Sequence, residues 1–205
     1  MEIQLNLVNR SDDAGGVDVV IFQNNSADPP DAPAVAWMVV SDFAPGQTYA
    51  FTYPTAVAVA ASDSGGNPIP PVPAEAGQLF TVQSSAHGDV VRRTGAAADA
   101  RAIEVHNGLA QGAIDALLYR DAKLLAMKSA VPPGQTATFL LQPNLWIGVV
   151  PQVRVGQIME EAVMNRINTQ LSLLGIDSAD IIMSGGGAGP NATPYRFQFD
   201  NVVSA

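Results

Sequence analysis

Two histidines are the first residues to weigh, because imidazole trades protons and binds metals near neutral pH more readily than any other side chain. His87 sits in "SAHGDVV" and His106 in "VHNG". Neither has a partner at the spacings that place two ligands on one face, such as H-x-H or H-E-x-x-H. "AHGD" reads as a hairpin turn. Serine and aspartate are plentiful, so a Ser-His-Asp set can be assembled on paper, but no G-x-S-x-G elbow is present to expose a nucleophile. The glycine-rich loop 185–189, "GGGAG", within the longer stretch 185–194, follows a β-like run as a phosphate-binding loop would. It lacks the Lys-Ser/Thr that completes such a loop, and a strand follows where a helix is needed, so it reads as a flexible hairpin loop. "DSGGN" (63–67) and "SADPPD" (26–31) gather oxygen atoms that could hold calcium. Neither follows a calcium-loop pattern, and Asp and Asn favour turns in any case. Trp37 and Trp146 lie in apolar strand contexts and read as core rather than as a sugar-stacking platform. No catalytic residue, cofactor-binding residue or metal ligand is assigned from the sequence, and no cofactor is expected.

Composition narrows the field further. With no cysteine, the 205-residue chain has no disulfides, thiolate nucleophiles or zinc–thiolate sites. Ten basic against 19 acidic residues give a net charge of −9, which disfavours nucleic acid and anionic surfaces. The adjacent basic pair Arg92-Arg93 is too little to offset it. No apolar run reaches the length of a membrane helix; "AVAWMVV" (34–40) is far too short. "MEIQLNLVNRSDD" has no basic-then-apolar secretory pattern, so the expected compartment is the cytoplasm, with non-classical export left open.

The elements that would position any site are strands. Short apolar runs alternate with Gly, Pro, Asn and Asp along the whole chain, which predicts an all-β sandwich. Candidate strands in the first half cover 3–9, 17–23, 34–40, 48–53, 56–61, 78–83 and 89–94. In "IQLNLVN", Ile3, Leu5 and Leu7 take one face while Gln4 and Asn6 take the other. The second half repeats the first. Asn9 matches Asn107, Asp18 matches Asp115, Phe22 matches Tyr119, "PGQT" at 45–48 matches "PGQT" at 133–136, and "AGQLF" (76–80) is paired with "VGQIM" (155–159). These landmarks predict two tandem duplicated, immunoglobulin-like β-sandwich domains, 1–97 and 98–205, joined near 94–102, the second with an extra C-terminal hairpin. "PGQ" is a tight turn, proline fixing φ and glycine accepting the positive φ of a type II turn. The proline-rich stretch 62–77 reads as a loop. Residues 166–174 read as strand, and 157–164 fit helix and strand equally.

Charged residues make up only 14%, and lysine occurs only at 123 and 128. Edge strands commonly carry lysine or proline to block pairing with other chains, so thin protection predicts self-association. The expectation is a non-enzymatic structural protein that forms a homo-oligomer or filament. The alternative is a β-sandwich module that binds a small, carbohydrate-like ligand through loops such as 62–77. The phrases "VDVVIFQNN", "FAPGQTYAFTYP", "AGQLFTV", "LWIGVV" and "SLLGIDSADIIMSGGGAGPNATPYRF" resemble, over the full length, a group of small uncharacterised bacterial proteins. Its members often carry the label aromatic ring-opening dioxygenase. That resemblance implies a second alternative, ring-opening oxygenation by a non-heme iron held by His and Glu side chains.

Overall fold

The computed structural model describes residues 2–29, 32–167 and 169–205. Its strands are β1 (Glu2–Asn9), β2 (Val17–Phe22), β3 (Ala34–Phe43), β4 (Thr48–Pro54), β5 (Val57–Ser62), β6 (Pro68–Ala74), β7 (Gln78–Ser85) and β8 (Gly88–Ala96). Then come β9 (Ile103–Asn107), β10 (Ile114–Arg120), β11 (Lys123–Val131), β12 (Thr136–Phe139), β13 (Asn144–Val149), β14 (Ile158–Met159), β15 (Thr169–Ser172), β16 (Ile176–Gly186) and β17 (Thr193–Ser204). A single-turn helix, α1 (Glu161–Met164), follows β14. The all-β expectation holds. β1 shows why: Ile3, Leu5 and Leu7 are buried while Gln4 and Asn6 are exposed, the period of two that buries one face of a strand.

The strands form two compact units. Unit 1 comprises Met1–Gln23, Asp31–Thr55 and Pro143–Ala205; unit 2 comprises Asn24–Pro30 and Ala56–Gln142. Each has two sheets. Unit 1 holds the sheets β17-β16-β1-β4 and β14-β3-β2-β13-β15, and unit 2 holds β8-β7-β9-β12 and β11-β10-β5-β6. Apart from β14 and α1, the units match strand for strand. β1 pairs parallel to β16 and antiparallel to β4; β9 pairs parallel to β7 and antiparallel to β12. Likewise β2 lies between β3 and β13, and β10 between β11 and β5.

This arrangement corrects the division at 97/98. Beyond β4 and β12, the strands that open at "PGQT", the chain leaves its own half: β5 pairs with β10, and β13 pairs with β2. Each unit is therefore four strands of one half completed by strands of the other. Sequence landmarks do not reveal this, because a strand edge accepts any partner of suitable register. Three finer expectations change with it. The counterpart of β7 is β16, by its parallel pairing, so "AGQLF" does not correspond to "VGQIM"; Ile158 and Met159 form β14 beside β3. The C-terminal hairpin β16–β17 exists but is the counterpart of β7–β8, and the added piece is the connection 150–168. Residues 68–74 of the supposed proline-rich loop are β6, an edge strand, the one place in a sheet where missing N–H groups are tolerated.

The repeated phrase is a clamped corner. Gln47 N donates to Ala44 O across Gly46 (φ +85°), and Gln135 N donates to Pro132 O across Gly134 (φ +77°), both at 3.1 Å. These are the type II turns the sequence predicts. Each is tied to a fully buried asparagine. Asn9 N donates to Gln47 O and Gly46 N to Asn9 O; Asn107 N donates to Gln135 O and Gly134 N to Asn107 O. Asp18 and Asp115 also play one part: their Oδ1 atoms accept from Asp42 N and Ala130 N, two non-glycine residues with positive φ (51° and 54°) beside a bulge.

Candidate functional site

The two units differ most on the outer face of one sheet. In unit 1, β2 is buried on both faces: Val19 and Ile21 turn inward, while Val20 and Phe22 belong to an outer cluster with Ala36, Val153, Met159, Met164 and Ile167. The cover is the connection from β13 to β15, carrying β14 and α1. It lies so close that a Cβ on Gly148 would stand 2.9 Å from Ile167 Cγ1. Trp146 stacks on Phe22 at 6.2 Å and 18° and is partly buried against this cluster.

In unit 2 the connection from β5 to β6 is only residues 63–67. Asp63 closes it, accepting from Gly65 N, Asn67 N and Asn67 Nδ2 at 2.8–2.9 Å. Those bonds, chiefly from Asn67, hold the Asp63 carboxyl below its ordinary pKa. No cover is built. β10 accordingly alternates, with Ala116 and Leu118 buried and Leu117 and Tyr119 half-buried. The open face is a cleft of about 820 Å³ lined by Ala58, Ala60, Leu117, Tyr119 and the prolines of β6. The difference in length between 63–67 and 150–168 was the available signal in the sequence, and it is legible only once β5–β6 is known to match β13–β15.

The residues singled out for chemistry are dispersed. His87 is exposed at the β7–β8 hairpin tip. His106 is on β9, opposite Thr81 and Thr136, its Nδ1 3.1 Å from Thr136 Oγ1. Among the described residues no three or more His, Asp and Glu side chains converge in a way that could hold a metal ion, so the donors present do not fit the His-and-Glu iron centre that the dioxygenase label implies. Trp37 is core, 5.7 Å from Tyr53 at 78°. Of the "SADPPD" run, Asp28 pairs with Lys128 and accepts from Asn25 Nδ2; Pro30 and Asp31 lie outside the described residues.

"GGGAG" is held rather than flexible. Gly187 N donates to Asp13 Oδ1 at 2.9 Å and Tyr195 OH donates to the same carboxylate at 3.0 Å. Gly186 has φ +80°, and a Cβ there would meet the Asp13 carboxylate at 2.6 Å. Partial burial pushes the Asp13 pKa up, but the interactions with Gly187, Ser11 and Tyr195 together outweigh it and hold the carboxyl below its usual range. Burial, and then the bond to Asp13 and its charge, push the Tyr195 phenol above its usual value.

The sheet edges are guarded unevenly. In unit 2, β6 carries Pro68, Pro70, Pro71 and Pro73, β11 carries both lysines of the protein, β8 carries Arg92 and Arg93, and β12 is short. In unit 1, β14 and β15 are short, whereas β4 and β17, the two edges of one sheet, are long and free of lysine. Among the described residues no helix is long and apolar enough to cross a membrane. No family model, curated protein or solved structure matches the chain.

Proposed function

We propose that this is a non-enzymatic structural protein, built by duplication of one β unit, that assembles into a homo-oligomer or filament by continuing the β17-β16-β1-β4 sheet from one copy to the next. The contrast between guarded and bare edges carries this reading. Unit 2 blocks its edges with four prolines, two lysines and an arginine pair, while β17 runs for 12 residues with Arg196 and Asp200 as its only charges, and the prolines of β17 and β4, Pro194 and Pro54, stand only at strand ends. Bulges interrupt the ends of its pairing with β16 and leave Arg196–Asp200 regular. Val202 and Val203 are 49% and 52% exposed, and Tyr49 on β4 is 41% exposed. An unpaired row of backbone N–H and C=O groups templates another strand. Because the two bare edges are different strands, β17-to-β4 contact is heterologous and can propagate.

Sedimentation velocity across a concentration series, with negative-stain microscopy, tests the reading. The expected result is concentration-dependent growth of particles. The double variant Gln198→Lys, Val202→Lys places charge on exposed positions of the edge, and it should fold normally and stay monomeric. A wild-type chain that sediments as a monomer at high concentration, without particles, removes the reading.

A further inference from the structure

We propose that Lys128 and Asp28 condense into an intramolecular isopeptide bond, a covalent tie between β11 and residues 24–29 of the same unit. This goes beyond the edge pairing above and does not depend on it.

The two side chains meet from separate elements. Lys128 is on β11, opposite Ala116 of β10. Asp28 lies in the segment that follows β2, and its Oδ1 is in direct contact with Lys128 Nζ. Asn25 sets the Asp28 carboxyl: its Nδ2 donates to Asp28 Oδ2 at 2.9 Å, and Asp28 N donates to Asn25 O at 3.0 Å. Asn25 is fixed in turn. Its Nδ2 also donates to Thr138 O at 2.9 Å, and its Oδ1 accepts from Leu140 N at 2.7 Å. Amine and carboxyl thus face each other, each held by hydrogen bonds of its own element. Groups held in this way reach effective concentrations of about 10⁵ M or more, which drives a condensation that free amines and carboxylates in water do not complete.

The surroundings favour the neutral pair that reacts. The side chains of Lys128 and Asp28 are 29% and 17% exposed. Burial pushes the Lys128 pKa below its ordinary value, towards the nucleophilic amine. One Nζ proton passes to Asp28 Oδ1. Nζ then attacks Cγ, with Asn25 Nδ2 still donating to Oδ2 as negative charge builds there. A second Nζ proton joins Oδ1, the Cγ–Oδ1 bond breaks, and one water leaves. The third proton stays on the new amide nitrogen, and neither an oxidant nor a cofactor is consumed. Lys128 and Ala27 line an open groove of about 640 Å³ through which the water departs. Lys123 is the internal contrast: its partner Asp121 is two residues away and 56% exposed, so that pair stays ionic. The bond between 28 and 128 closes a loop of about 100 residues, the long closure that restricts an unfolded chain most, in a protein with no cysteine to do so by a disulfide.

Intact-mass spectrometry of the denatured full-length protein tests the bond. The expected mass is that of the sequence less one water. Peptide mapping should give one branched peptide joined at residues 28 and 128, with no tryptic cleavage after Lys128. Lys128→Arg keeps the ion pair with Asp28 but cannot close this amide. It should regain the full mass, run more slowly than wild type on a denaturing gel and melt at a lower temperature. Asp28→Ala should also regain the full mass. A wild-type protein at the full sequence mass overturns the proposal, whatever the variants do. So does a one-water loss that survives Lys128→Arg or maps to an unbranched peptide, since that marks a succinimide instead.

Discussion

Asn9 donates from Nδ2 to the carbonyl of Phe43 at 2.8 Å, and Asn107 repeats the contact with Val131 at 2.9 Å. Each Oδ1 also accepts a backbone N–H two residues on, from Ser11 and from Leu109. Both asparagines are fully buried. One amide thus ties the backbone just beyond its own strand end to the last residue of the strand before "PGQT".

Removing that amide should be costly. Asn107→Ala strips the donor from the carbonyls of Val131 and Gly112 and the acceptor from Leu109 N. Buried backbone groups left unpaired cost about 1–3 kcal/mol each, so a loss of about 3 kcal/mol is expected in urea unfolding. Asn9→Ala should lose somewhat less, since fewer groups depend on it.

The cover on unit 1 should be sensitive to a single methyl. Gly148→Ala places a carbon within 2.9–3.1 Å of three Ile167 atoms, an overpacking expected to cost about 1–3 kcal/mol. Combined with Ile167→Ala, it should cost less than the two single changes added together. A double-mutant cycle on the unfolding free energy checks this. Ala60→Gly, at the equivalent position of the uncovered face, should show no such coupling.

Asp13 and Tyr195 give stability two pH limbs. The folded pKa of Asp13 is depressed, so its contribution is complete above the unfolded value near 4 and is lost as pH falls through the folded value. The folded pKa of Tyr195 is raised, so its contribution is complete below the unfolded value near 10 and is lost as pH rises through the folded value. Urea midpoints measured from about pH 2 to 11 should show both limbs. Tyr195→Phe should remove its alkaline limb and shorten the acid one, and Asp13→Asn should shorten the acid limb further, leaving the part that belongs to other depressed carboxyls such as Asp63.

The exchange of strands predicts how fragments behave. Residues 1–97 and 98–205 should each fail to fold alone, because β1–β4 and β9–β12 lose the strands that complete their sheets. Mixed, they should reconstitute the wild-type circular dichroism and a cooperative melt. Two independently folded halves would contradict the pairing.

The dispersed histidines predict indifference to metal. Chelation with EDTA should leave the melting temperature unchanged, and His106→Ala should cost less than about 1 kcal/mol, as expected for a half-buried residue with one side-chain contact.

Much of the local structure was legible in the residues. The period-two run of β1, the turns at Gly46 and Gly134, and the matches of Asn9 with Asn107 and Asp18 with Asp115 depend on neighbours close in sequence. β6 was not legible: four prolines read as a loop until a place at a sheet edge removes the need for their N–H groups. α1 was ambiguous because "QIMEEAVMNRIN" fits both periods, and the cluster around Met164 decides between them. The cleft was hidden for a related reason. "VDVVIF" and "IDALLYR" are similar strands, and only the segment laid over one of them separates a doubly buried strand from a half-open one.

By itself, then, the sequence determined the strands that alternate plainly, the turn type and the absence of thiol chemistry, because backbone preference, side-chain alternation and composition are local properties. The tertiary structure decided which strands share a sheet, which edges stay bare and which face stays open. Those choices rest on hydrogen bonds and apolar contacts between residues far apart in the chain, and a strand's edge carries no label for its partner.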